Sequence, residues 1–241
     1  MELNFKKDSY IFIPNEIFDD LGRIKYKSTT HYAFTIAYYT FVSFLYYSEY
    51  YRIELVSQQD IKEFIGYNRD NKAVDYIIKK NGLLDLSGYT RTENHMVLFN
   101  KKSTELMMYE EEKVINFPKK FSIKYPVKGF YRNIADEEDN DLTGTFFNTY
   151  NTTRILIKTI ESILKNQKLK YLGLLVYLYI KQNKDLCMSY VEMSNNLHIS
   201  DREIRNIIRT LEEFGFLFTI HAKYDVSGKN KKANIYTAIE N

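Results

Sequence analysis

The feature that most constrains this chain is an internal duplication. Near the carboxyl end, Tyr171 to Gln182 (YLGLLVYLYIKQ) is a nearly all-apolar helix pattern, followed by KDLCM and then Ser189-x-x-Glu192. A serine with a glutamate three residues on is a capping box, in which each side chain satisfies a backbone N–H at a helix start. It predicts a short helix to about Leu197. After a turn at His198 and Ile199, Ser200-x-x-Glu203 repeats the box and predicts a longer helix ending near Phe214, with Gly215 as its left-handed stop. Two β-branched and aromatic runs in FLFTIHAKYDVSGKNKKANIYTAI, parted by a Gly- and Lys-rich loop, then predict a hairpin.

The N-terminal part has the same order. Tyr32 to Tyr47 is the apolar helix, and Ser57-x-x-Asp60 opens a short helix over Ser57 to Ile65. A turn at Gly66 and Tyr67 leads to a helix expected over Lys72 to Asn81, stopped by Gly82. IIKKNGLL, from Ile77, answers TLEEFGFL, from Thr210, and Ser57 answers Ser189. Leu84 to Leu86 with Met96 to Phe99 is the expected hairpin of this copy. Each copy also opens on a short strand pattern ending in proline, Tyr10 to Pro14 and Phe121 to Pro126.

Each unit therefore reads as a helix-turn-helix with a β wing. The expected fold is mainly α with small β hairpins (α+β), two winged helix-turn-helix modules in tandem. The divisions are residues 1–120 for the first module, 121–150 for an entrance strand and acidic linker, and 151–241 for the second.

Charge follows the same division. The chain is close to neutral overall, at +3, but residues 151–241 carry 14 basic and 9 acidic side chains, while 126–150 carry 2 and 5. A basic carboxyl-terminal third suits a polyanion, although solvated lysines and arginines give the same count. On a helical wheel of Asp201 to Phe214, Ile204, Ile207, Ile208, Leu211 and Phe214 fall in one sector, with Arg202, Arg205, Asn206 and Arg209 opposite. Arginine grips guanine bidentately and asparagine grips adenine, so the polar side has the chemistry of base readout in a major groove. Lys229, Lys231 and Lys232 at the expected wing tip would add phosphate contacts. In the first copy the corresponding set is Lys72, Tyr76, Lys79 and Lys80, with Arg69 and Arg91 as phosphate anchors, but Asp75 lies among them and Asp70 precedes them. That copy reads equally as a module that keeps its shape and contacts protein.

Two features suit association as well as core. Tyr38, Tyr39, Tyr46, Tyr47, Tyr50 and Tyr51 crowd one helix and its exit, and Arg154 to Leu164 carries an apolar helix stripe of Ile155, Ile157, Ile160, Ile163 and Leu164. Core is the expectation for both, and a homodimer or partner interface is the alternative.

Signs of catalysis are missing. No G-x-x-x-x-G-K-[ST], G-x-G-x-x-G or G-x-S-x-G occurs, so phosphate-loop, dinucleotide and hydrolase-elbow chemistry lack their carriers. His31, His95, His198 and His221 have no metal-ligand spacing, and Cys187 stands alone. Asp136, Glu137, Glu138, Asp139 and Asp141 lack the glycine and terminal glutamate of a calcium loop and read as a hydrated linker. No enzyme, cofactor or metal is expected. One cysteine cannot form an internal disulfide, the amino terminus has no signal-peptide pattern, and Tyr32 to Tyr47 is too short for a membrane span. The expected location is cytoplasmic, without membrane contact.

YIFIPNEIF, SQQDIKEFIGY with KAVDYIIKKNGLL, and SYVEMSNNLHIS with DREIRNIIRTLEEFGFL resemble the tandem winged-helix proteins of bacterial plasmids and phages, particularly replication initiators and replisome organisers. The resemblance spans most of the chain through motifs generic to winged helices. It implies a double-stranded DNA-binding protein acting in replication initiation of a mobile element. A transcriptional regulator of such an element has the same fold, and an interaction protein that docks replication proteins through its winged helices is the reading from another class.

Overall fold

The computed structural model describes residues 10–47, 57–93, 97–100, 105–108, 123–133, 144–222 and 233–240. It is a mixed α+β structure of helices and small antiparallel sheets. Tyr10–Pro14 forms β1, and α1 (Ile17–Gly22) turns Ile17, Phe18 and Leu21 inward. Helix α2 (Thr29–Tyr47) follows, and every side chain from His31 to Leu45 is buried, Tyr38 and Tyr39 included. A helix apolar all round belongs in a core, and several of its polar groups are met internally. The Thr35 and Thr40 hydroxyls donate to the carbonyls of His31 (2.6 Å) and Ile36 (2.8 Å), and the Tyr39 hydroxyl donates to the Lys128 carbonyl. Tyr50 and Tyr51, and the side chains of Tyr46 and Tyr47, lie outside the described residues.

Ser57 caps α3 (Gln58–Phe64) with both bonds of the box, its Oγ accepting from the Asp60 N–H at 3.2 Å and its own N–H donating to Asp60 Oδ2 at 2.9 Å. The helix expected over Lys72 to Asn81 is broken. It consists of a 3-10 turn, Lys72–Val74, and one helical turn, α4 (Asp75–Ile78), after which Lys79 is extended and the chain restarts as α5 (Leu83–Leu86). Asn81, not Gly82, takes the left-handed conformation, with φ of 58°, and Gly82 opens α5. Glycine is required there by close approach. A Cβ on Gly82 would sit 2.7–2.8 Å from the carbonyl oxygens of Tyr76, Ile77 and Lys79.

The expected first wing is also corrected. Leu84 to Leu86 is helical, because α5 restarts before the strand. The strands that follow are β2 (Thr90–Glu93), β3 (Val97–Asn100) paired with β4 (Glu105–Met108), and β5 (Ile123–Pro126), which pairs with β2. In that pair Thr90 faces Pro126 and Glu93 faces Ile123. β6 (Phe130–Asn133) pairs with β7 (Gly144–Phe147), and β8 (Thr152–Leu156) pairs antiparallel with β1, Tyr10 facing Leu156 and Pro14 facing Thr152. The start of the stripe from Arg154 is thus strand, because β1 completes its hydrogen bonds; helix α6 begins at Ile157 and runs to Lys165. All five stripe residues are buried, Ile155 from the strand and the rest from α6. The acidic run Asp136 to Asp141 and His95 lie outside the described residues.

The remaining elements are α7 (Lys170–Gln182), β9 (Leu186–Met188), α8 (Tyr190–Leu197), α9 (Asp201–Glu213), β10 (Leu217–Ile220) and β11 (Asn234–Ala238). β10 and β11 form the expected hairpin, and β9 adds to β11, giving a three-stranded sheet in the order β10-β11-β9. The buried side chains of both halves form one cluster, with α2 packed on α7. Ring contacts cross between the halves at Phe18 and Tyr179 (5.3 Å between centroids), Tyr32 and His198 (5.8 Å) and Tyr67 and Tyr171 (6.0 Å). Among the described residues no helix is long and apolar enough to cross a membrane.

Candidate nucleic-acid interface

Helix α9 is set by signals at both ends. Ser200 Oγ accepts from the Glu203 N–H at 3.3 Å, and the reciprocal bond that Glu192 makes to Ser189 in α8 has no counterpart here. At the far end, Gly215 has φ of 74°, its N–H donates to the Glu212 carbonyl (3.0 Å), and the Phe216 N–H reaches back to Leu211 (2.9 Å). Those two bonds are a Schellman motif, which needs a residue without Cβ strain at the left-handed position.

Between these ends the helix is two-sided. Ile204, Ile207, Ile208 and Leu211 are buried against α7 and α8, and burial of each contributes on the order of 1.5–3 kcal/mol. Phe214 departs from the expected sector: as the capping residue it leaves the helix and is 52% exposed. Arg202, Arg205, Asn206 and Arg209 are all exposed on the other side.

The three arginines are not equivalent. Arg205 donates from Nε to Asp201 Oδ2 at 2.9 Å and from an Nη to Asp201 Oδ1 at 3.3 Å, and its guanidinium lies 4.4 Å from the Tyr190 ring centroid. Its plane is held between a carboxylate and an aromatic face. Arg202 and Arg209 are exposed and make no ion pair among the described residues. Lys229, Lys231 and Lys232 lie outside the described residues.

The N-terminal set divides. Lys72, Lys79 and Lys80 are exposed around the broken helix, and Arg91 is exposed on β2. Arg69 is committed to Asp60 at 2.8 Å and Glu63 at 3.4 Å. Asp75 is held by the buried Lys62 at 2.6 Å. Tyr76 turns inward: its hydroxyl accepts from the Lys27 N–H (3.1 Å) and lies 3.0 Å from His31 Nδ1. Burial, and then the charge of Lys27, push the His31 pKa below its ordinary value.

These contacts expose a basic segment that the wheel and motif reading passed over. The loop between α1 and α2 carries Arg23, Lys25 and Lys27, all exposed and without an ion pair among the described residues. Lys27 Nζ lies 4.6 Å from the centroid of the Tyr76 ring. Three cations in the five residues RIKYK were the available signal, but a loop has no periodicity to mark which way they face.

No family model matches the chain, and no curated protein or solved structure is significantly similar to it. What this surface does must therefore come from its own residues.

Proposed function

We propose that the chain is a double-stranded DNA-binding protein whose carboxyl-terminal part is a winged helix, with α9 as the reading helix and the β10–β11 hairpin as the wing. The single observation behind this is α9 itself: Arg202, Asn206 and Arg209 stand exposed and Arg205 is pre-oriented, above a fully buried isoleucine and leucine face. The order of elements from α7 to β11, with β9 joining the wing strands, supports this reading, in which α9 would enter a major groove. The mechanism is electrostatic docking followed by bidentate arginine and asparagine contacts to base edges. The N-terminal half is a diverged copy in this reading, and replication initiation of a plasmid or phage is the role its resemblance implies.

Selection of bound fragments from random duplex DNA tests it. An enriched motif is expected, and its recovery should be abolished in a variant carrying Arg202→Ala, Arg205→Ala and Arg209→Ala. Arrays of direct repeats in the native target would fit initiation, and a palindrome over a promoter would fit regulation. No enrichment, with affinity for a replication protein that survives moderate salt, would replace DNA binding by protein docking.

A further inference from the structure

We propose that the loop between α1 and α2 is a phosphate clamp. Arg23, Lys25 and Lys27 grip the sugar-phosphate backbone of the duplex that α9 reads, and Lys72, Lys79 and Lys80 extend the grip. This rests on the DNA-binding reading of α9 and assigns a second, sequence-blind surface to the same duplex.

Three observations carry it. The first is connection. Within the loop, the Tyr26 ring lies 5.8 Å from that of Tyr32, and Tyr32 lies 5.8 Å from the ring of His198, in the turn that precedes α9. Two ring contacts therefore lead from the basic loop to the start of the reading helix. On its other side the loop is fastened to Tyr76, by the Lys27 N–H bond to the hydroxyl and by Lys27 Nζ over the ring, so the loop and the segment of Lys72 to Lys80 form one surface.

The second is charge. The six cations are exposed and have no ion pair among the described residues. Carboxylates of the same region are largely committed: Asp75 to Lys62 at 2.6 Å, Asp85 to Lys124 at 2.6 Å, and Asp20 to Lys128, although the charge of Arg23 also acts on Asp20. Asp19 and Asp70 remain exposed beside them. Exposed cations that form no ion pair are what a polyanion neutralises, releasing its own counterions.

The third is the broken helix. A 3-10 turn and one turn of α-helix offer no extended rod to a groove, and the Tyr76 hydroxyl is used internally. What remains is point charge on flexible stems, which positions a backbone and carries no base code.

Salt titration of affinity for the selected duplex is the test, comparing the unaltered protein, a variant with Arg23→Gln, Lys25→Gln and Lys27→Gln, and the α9 triple-alanine variant. The clamp variant is expected to bind at least about tenfold more weakly near physiological salt, with the slope of log affinity against log salt reduced by about 2–3 and the ranking of sequences unchanged. The α9 variant should lose that ranking. An unchanged slope in the clamp variant overturns the clamp while leaving α9 as the reader. Absence of duplex binding by the unaltered protein overturns both. Because Lys27 packs over Tyr76, Lys25→Gln alone serves as a folding control, with an expected slope reduction of about 1.

Discussion

Lys124 on β5 is buried, its side chain only 1% exposed. Its ammonium donates to the Lys79 carbonyl at 3.0 Å and to Asp85 at 2.6 Å, and Asp85 also accepts from Thr90, Thr92 and the Asn81 N–H. Burial pushes the Asp85 carboxyl up, but the bonds from Lys124, Thr90 and Thr92 outweigh it and hold the group below its usual range. Removing one partner of such a pair leaves a buried charge uncompensated. Lys124→Met should therefore cost about 3–5 kcal/mol in denaturant unfolding, and adding Asp85→Asn should restore part of the loss. His31 offers a prediction in pH. Its folded pKa is depressed, so the unfolded chain binds the extra proton; the stability from keeping it neutral is complete above its ordinary 6.5 and is lost as pH falls through the lower folded value. The melting temperature should drop from pH 7 to 5, and His31→Gln should flatten that drop. An equal drop in both proteins would remove His31 as its source.

At the scale of elements, α9 and the broken helix from Lys72 to Ile78 show what sequence can and cannot carry. Everything that shapes α9 is local: Ser200, the isoleucine spacing and Gly215 are within the helix or next to it, and each was legible. Both serine caps at Ser57 and Ser189 were legible for the same reason. The break after Ile78 was not, because two of the groups that bond the carbonyls there, Gln58 Nε2 to Ile78 and Lys124 Nζ to Lys79, lie far along the chain. Likewise β8 looks helical by periodicity until β1 supplies its partner, and β2 takes β5 in place of a hairpin neighbour. Of the candidate site, the arginine face of α9 could be read from a wheel, whereas the inward turn of Tyr76 and the basic loop beside it depend on tertiary contacts. Gly82→Ala tests the break: its methyl would be forced onto three carbonyl oxygens and should destabilise by about 1–3 kcal/mol, measured by chemical denaturation. A neutral substitution would mean that the turn is looser than drawn.

At the scale of the whole molecule, the two halves hold each other. The turn after α3 meets the first turn of α7 through Tyr67 and Tyr171, and the turn after α8 meets the first turn of α2 through His198 and Tyr32. β1 and β8 add a backbone seam between distant parts of the chain, and the buried cluster is continuous through both halves. Heating should therefore give one cooperative transition, and Ile36→Ala, buried in α2, should lower the melting temperature reported by probes in either half alike. Two separated transitions would show that the halves fold independently.

The reciprocal turn-to-helix contacts give the molecule the character of a gauge. A tether lets two grips settle wherever their targets lie, but surfaces braced through a shared interior keep a set interval. If both halves hold one duplex, five base pairs inserted between their footprints would turn one footprint about half a revolution away, and ten would restore its face but carry it about 34 Å along the axis, so tight binding should vanish with either insertion.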